Sequence, residues 1–157
     1  MEIQLMCIGK TDRSFWSDAV FEYQKRLKHY VRFSIIYLPE IKIIKKIDKI
    51  KVKIQEGKLL LQKLNPNDTV ILLDEKGKSL DSKTFSKEIE NYMIKGKKKI
   101  IFVVGGAYGF SDEVYKTFPN RFALSKMTFS HQMVRLFFCE QLFRAFTIIN
   151  NHPYHNQ

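Results

Sequence analysis

From Ile100 to Val104 the chain reads IIFVV, without a single polar side chain. A strand that is apolar on both faces needs cover on both, and this is the position of a central strand in a parallel sheet sandwiched between helices. The rest of the chain supplies such a frame. Ile3 to Ile8 is a short apolar run closed by Gly9, as expected of another buried strand. Trp16, Val20, Tyr23, Leu27 and Tyr30 then recur at intervals of four, three, four and three, which places them on one face of a helix. Phe33 to Leu38 reads as a second strand, stopped by Pro39. A turn at Asn65-Pro66-Asn67 leads into a strand over Thr69 to Leu73, a turn over Asp74 to Gly77 and a helix from about Ser82 to Ile94. Phe122 to Leu124 is one more short strand. Strand and helix in alternation predict an α/β fold, an open, mostly parallel sheet with helices on both faces. No repeat and no Pro- or Ser-rich linker divides residues 1–157, and this length suits one domain.

Ile41 to Leu64 admits two readings. Ile43, Ile47, Ile50, Ile54, Leu61 and Leu64 fall at helical spacing among many lysines, with an interruption near Gly57, whereas the alternation of Ile50, Val52 and Ile54 also suits a strand. As a helix it is amphipathic and basic, fit to ride on phosphates or on a membrane surface, or simply to be solvated. The formal net charge of +11 favours polyanions such as nucleic acid. A genome biased to A and T also yields a surplus of lysine, so charge alone does not decide the partner. No apolar run approaches the ~18 to 20 residues that span a bilayer, and Met1 to Lys10 lacks the pattern of a signal peptide. A cytoplasmic protein without membrane contact is therefore expected. Cys7 and Cys139 lie in apolar stretches and read as buried, reduced thiols. No metal site is expected, because His152 and His155 lack carboxylate or cysteine partners at ligand spacing.

Ligands of open parallel sheets bind beyond the carboxyl ends of the strands. Three segments occupy such places: Asp74 to Gly77, Gly105 to Gly109, and Ser125 to Phe129. Three of the seven glycines fall within Gly105 to Gly109, which calls for unusual backbone angles or close approach of a ligand to the main chain. Neither the Gly-Lys-Ser/Thr ending of a phosphate loop nor a G-x-G-x-x-G fingerprint is present. A tight turn between strand and helix is the alternative. His131 to Ile149 is a helix apolar almost all round, so it needs cover on more than one side. In so short a chain a second subunit is the economical cover, and a symmetric homodimer is expected. His131 and Arg135 share a face, as do Glu140 and Arg144, but Arg135 and Arg144 are nine residues apart and lie on opposite sides. One arginine then faces its own site and the other the partner; for Glu140 and Arg144 a plain intrahelical ion pair is the alternative.

Leu73-Asp74-Glu75-Lys76-Gly77, Val104-Gly105-Gly106-Ala107-Tyr108-Gly109-Phe110, Leu124 to Gln132, Glu140-Gln141-Leu142-Phe143-Arg144-Ala145 and Asn151-His152-Pro153-Tyr154-His155 together closely resemble the RlmH family. Its members are SPOUT-class methyltransferases that modify ring nitrogen 3 of a pseudouridine in the 23S RNA of the bacterial large ribosomal subunit. The resemblance spans the chain and is densest from Leu72 to His155. It implies an α/β SPOUT fold with a C-terminal trefoil knot, a homodimer, ribosomal RNA or the ribosome as partner, and S-adenosylmethionine held by the knot loops. Carried over by position, the cofactor site comprises Leu73, Gly105, Leu124, Ser125, Lys126, Met127, Thr128 and Phe129. Ser130 stands where the family often has proline, and Asn156-Gln157 where a basic residue often follows the Pro-Tyr-His.

An imide nitrogen must lose its proton before or during methyl transfer. On the implied mechanism Tyr154 and His155 lie over the site from their own or the partner subunit, His155 or solvent takes the proton, and Arg135 or Arg144 steadies the anion. Competing expectations are a tail that only orders the dimer, stacks on RNA or frays, an enzyme for another RNA base, a non-catalytic ribosome-assembly factor, and a membrane-surface protein.

Overall fold

The computed structural model describes residues 1–12, 14–41 and 48–155. Along these the elements are β1 (Glu2–Ile8), α1 (Ser14–Leu27), β2 (Arg32–Leu38), α2 (Lys49–Lys63), β3 (Thr69–Ser79), α3 (Ser82–Ile94), β4 (Lys99–Val104), α4 (Asp112–Thr117), β5 (Arg121–Ala123) and α5 (His131–Ile149). The strands form one sheet in the order β2-β1-β4-β3-β5, and every pairing is parallel. β4 is central, between β1 and β3, which explains why Ile100 to Val104 are all buried. The α/β expectation therefore holds, with the core split by the two-residue period of the strands. On one face Ile3, Leu5, Ile71, Ile100 and Phe102 meet Phe85 of α3 and Phe138, Leu142 and Phe146 of α5. On the other, Met6, Val70, Leu72, Ile101 and Val103 meet Leu60 of α2 and Val114 of α4. The Phe102 ring lies 4.6 Å from that of Phe138, at the centre of the first layer.

Several expectations change in detail. β3 does not end at Leu73. It passes through an irregularity, with Leu73 and Lys78 both beside Phe122, and runs on to Ser79 along β5. The turn-forming residues Asp74 to Gly77 thus become a bend within the strand, and a Cβ on Gly77 would come 2.6 Å from the Phe122 nitrogen. α1 stops at Leu27, so Tyr30 reaches the core from the following turn and stacks on Phe146. α2 is a helix from its Asp48 cap onward and runs unbroken through Gly57, because that glycine is a contact point and not a break: a Cβ there would lie 2.2 Å from Ser111 Oγ. The Ile43 and Ile47 part of the predicted helix lies outside the described residues. α4, capped by Ser111, is too short for any periodicity to announce it. Cys7 and Cys139 are free and buried, and burial pushes the Cys7 thiol up to about 12. Among the described residues no helix is long and apolar enough to cross a membrane.

Candidate active site

The loops that follow β4 and β5 and the bend in β3 all emerge at the same end of the sheet, and together they enclose a cavity of about 570 Å³. Its wall includes Leu73 to Lys76, Gly105 to Phe110, Leu124, Ser125, Met127, Thr128, Phe129, and His131 and Val134 of α5. Of the residues expected to hold a cofactor, Lys126 alone is absent from the wall, and it is exposed. The loops are tied to one another. Thr128 Oγ1 donates to Glu75 Oε2 at 2.5 Å, and Ser125 Oγ accepts from the Met127 nitrogen at 3.0 Å. The Tyr115 hydroxyl donates to Asp74, and the Arg121 guanidinium lies 4.6 Å over the Tyr115 ring. Burial, and then the bonded Asp74, push the Tyr115 hydroxyl up to about 12, so it stays protonated and keeps donating. Nothing in the sequence marked Tyr115, because its partner Asp74 is remote in sequence.

The glycine loop is a tight reversal in which the Gly109 nitrogen donates to the Gly106 oxygen at 3.1 Å. Gly109 has φ +75°, where a side chain would strain the backbone. Gly105 and Gly106 are needed for space instead. A Cβ on Gly105 would meet the Phe110 ring at 3.3 Å, and one on Gly106 would fall 2.3 Å from Glu56 Oε2. Ser130 caps α5, its side chain accepting from the Met133 nitrogen. His131 opens that helix on the cavity wall; burial, and then the Arg135 charge, lower its pKa and favour the neutral imidazole.

Arg135 does not face the cavity. It is 0 % exposed, with Nη2 donating to the Ile8 oxygen at 2.7 Å and Nη1 to Thr11 Oγ1 at 3.1 Å, so it fastens α5 to the end of β1. Arg144 heads a second assembly on α5. Its Nη2 and Nε donate to Glu140 Oε1 at 2.6 and 3.0 Å, and Nη1 lies 3.2 Å from His155 Nδ1. The hydrogen bonds to Glu140 hold the guanidinium further above its ordinary pKa. The Tyr154 hydroxyl donates to Glu140 Oε1 at 3.3 Å, and its ring packs edge-on to Phe143 at 4.8 Å. Burial, then its contact with the Tyr23 hydroxyl, push Tyr154 up to about 12. His152 Nδ1 is 2.7 Å from the Tyr30 hydroxyl. The tail through His155 is thus tied down and not frayed; Asn156 and Gln157 lie outside the described residues. Because a guanidinium only donates, His155 Nδ1 must accept, which leaves the ring proton on Nε2.

Arg144, Tyr154 and His155 are not part of the cavity wall. The chain carries two separate assemblies, a loop-lined cavity and a cluster of guanidinium, phenol and imidazole. Partly buried Met133, Phe137, Glu140 and Arg144 run down α5 from the cavity to the cluster, at steps of four, three and four. Among the described residues no group of three His, Cys, Asp or Glu side chains is placed to hold a metal ion.

A family model described as "Predicted SPOUT methyltransferase" matches residues 1–155. Over all 157 residues the chain is 50% identical to the protein of Christiangramia forsetii named ribosomal RNA large subunit methyltransferase H. It is 49% identical to the protein of that name from Parabacteroides distasonis, and both alignments cover 100% of each chain. Among solved structures, a probable methylase family protein from Haemophilus influenzae superposes with a TM-score of 0.54, covering 99% of this chain and 70% of that one. At 14% identity that likeness is one of fold.

Proposed function

This chain belongs to the SPOUT methyltransferase family, and we propose that it methylates ring nitrogen 3 of a pseudouridine in large-subunit (23S) ribosomal RNA, with S-adenosylmethionine as donor. The observation that carries the reading is the convergence of three strand-end loops on one cavity, in a chain matched end to end by relatives named as large-subunit rRNA methyltransferases. When bound, the donor supplies an electrophilic methyl on a cationic sulfonium. Leu73, Gly105 and the segment Leu124 to Phe129 would hold it, with the glycine letting the main chain approach and the loop amides meeting the adenine edge. Among the charged residues of the wall Asp74 and Glu75 outnumber Lys76, which suits a cation, and a neutral His131 adds no further positive charge.

Two cofactor sites related by a two-fold axis, each completed by the other subunit, reconcile the two separate assemblies. The stripe of Met133, Phe137, Glu140 and Arg144 is the natural contact, since it is apolar at its cavity end and carries the cluster at the other. Across it the partner's tail would meet the cavity. His155 Nδ1 engages Arg144 while its Nε2 is buried without a partner among the described residues, so His155 acts by holding the guanidinium, and Arg144 stabilises the imide anion while solvent takes the imide proton. We further read the chain as one cytoplasmic domain. From β5 at one edge of the sheet it passes to α5, where Gln132 meets Asp12 after β1; the trefoil knot is what membership of the family implies.

A methyl-transfer assay on ribosomes with and without the pseudouridine tests the reading. Methyl incorporation that needs both enzyme and pseudouridine is expected; incorporation on unmodified uridine, or none on either, would overturn it. His155→Ala is expected to lower turnover about 10²-fold with cofactor affinity within about twofold, as measured by calorimetry. Phe137→Glu places a charge in the stripe, so sedimentation should find monomers and the assay no activity; an active monomer would dispose of the two-subunit site.

A further inference from the structure

Glu56 is a charged residue in an unexpected place. It sits on the inner face of α2, 4 % exposed, and its Oε2 has no hydrogen-bond partner among the described residues. Its carboxyl lies against the glycine loop. The position that a Cβ of Gly106 would take is 2.3 Å from Oε2 and 2.7 Å from Oε1, so only glycine admits the carboxyl there. Gly106 lines the cavity and Glu56 does not, so the carboxyl backs the loop from behind the cavity wall. The adjacent Gly57 anchors the helix at the same point, because its Cα abuts Ser111, the cap of α4. Two consecutive residues of α2 thus grip both ends of the segment from Gly106 to Ser111.

An unpaired buried carboxyl costs stability, and an apolar side chain of similar volume would avoid that cost. Burial, and then the nearby Glu40 carboxylate, raise its pKa to about 7, which records the same penalty. Groups held at a cost to the fold and placed against a site are candidates for a role in that site. We propose that Glu56 is a positioning residue for the cofactor: its carboxyl props the Gly105 to Gly109 loop from behind and sets the height at which the main chain meets S-adenosylmethionine. This rests on the cofactor reading given above.

Full-length Glu56→Ala and Glu56→Gln proteins, compared with wild type at pH 8, test it. Calorimetry with S-adenosylmethionine is expected to show affinity about tenfold weaker in Glu56→Ala, and within about twofold of wild type in the isosteric Glu56→Gln. The melting temperature of Glu56→Ala should not fall. An unchanged affinity, or a loss matched by a fall in melting temperature, would overturn the proposal, since the latter is what a purely structural residue predicts. Hydrogen exchange in the unliganded protein gives a readout independent of the donor. In Glu56→Ala the amides from Gly106 to Gly109 should exchange faster while those of α5 do not change; uniform or unaltered exchange counts against the prop. If wild type binds no S-adenosylmethionine, the cofactor reading fails, and the exchange measurement alone decides for or against Glu56.

Discussion

An Arg144→Ala subunit mixed with a Gly106→Ala subunit should show more methyl transfer than either variant alone. Removing the guanidinium takes away the fixed charge next to His155, and loss of one such preorganised donor lowers turnover about 10² to 10³-fold. The added methyl at Gly106 falls on the Glu56 carboxyl, which is itself buried and has little room to swing away, so the glycine loop gives and the cavity is impaired, at a steric cost of about 1 to 3 kcal/mol. If each site takes its loops from one subunit and its Arg144, Tyr154 and His155 cluster from the other, a mixed dimer has one intact site and one doubly damaged. Random exchange makes about half the dimers mixed, so activity should return to about a quarter of the wild-type value. The assay is turnover after refolding the two proteins together. No recovery, with melting curves showing both variants folded, would place the whole site within one subunit.

The second large effect concerns pH and stability. The Glu56 carboxyl has a folded-state pKa of about 7 against an ordinary value of 4.5, owing first to burial and then to Glu40. Between these values the unfolded chain has released the proton and the folded one retains it. Unfolding therefore releases a proton, and stability must fall as pH rises through this window and then level off. The contribution is fully present below pH 4.5 and lost above pH 7, on the order of 3 kcal/mol in all. Glu56→Gln removes the ionisation and hence the slope. The amide is still polar and buried, so the informative quantity is not the stability at one pH but its change from pH 5 to pH 8. Urea titrations at both values should show a decline in wild type that is absent from Glu56→Gln; parallel declines would mean that another group is responsible.

The helical reading of α2 over the strand alternative shows where periodicity runs out. Ile50, Val52 and Ile54 alternate, but Ile50 is 60 % exposed, Ile54 is 43 % exposed, and only Val52 of the three is buried. Hydrophobicity marks the candidates for burial, and contact decides among them. β4 is the opposite case. Five successive apolar residues tolerate only a central strand, and they are found there. Two of the three segments expected at strand ends, after β4 and β5, were equally legible, because a parallel sheet sends every strand's carboxyl end to the same side; the third, Asp74 to Gly77, lines the same cavity from a bend inside β3.

The roles of the two arginines on α5 were not legible. Spacing put Arg135 and Arg144 on opposite sides of the helix, and the structure agrees, yet it buries Arg135 among backbone and hydroxyl acceptors and leaves Arg144 beside the tail. Either arginine had the chemistry to steady an anion. Which one is occupied in holding the fold depends on where the end of β1 passes, more than 120 residues earlier in the chain. Glu56 was hidden for the same reason: one acidic residue in a lysine-rich helix looks like surface until Gly106 is seen against it.

By itself the sequence determined the α/β class, the central strand, the loops that line the cavity and the family, all of which rest on local pattern or on ordered motifs along the chain. Only the tertiary structure decided that Arg135 is a brace, that the tail cluster stands apart from the cavity, and that Glu56 backs the glycine loop. Those are contacts between distant segments, and no periodicity within one segment records what another brings against it.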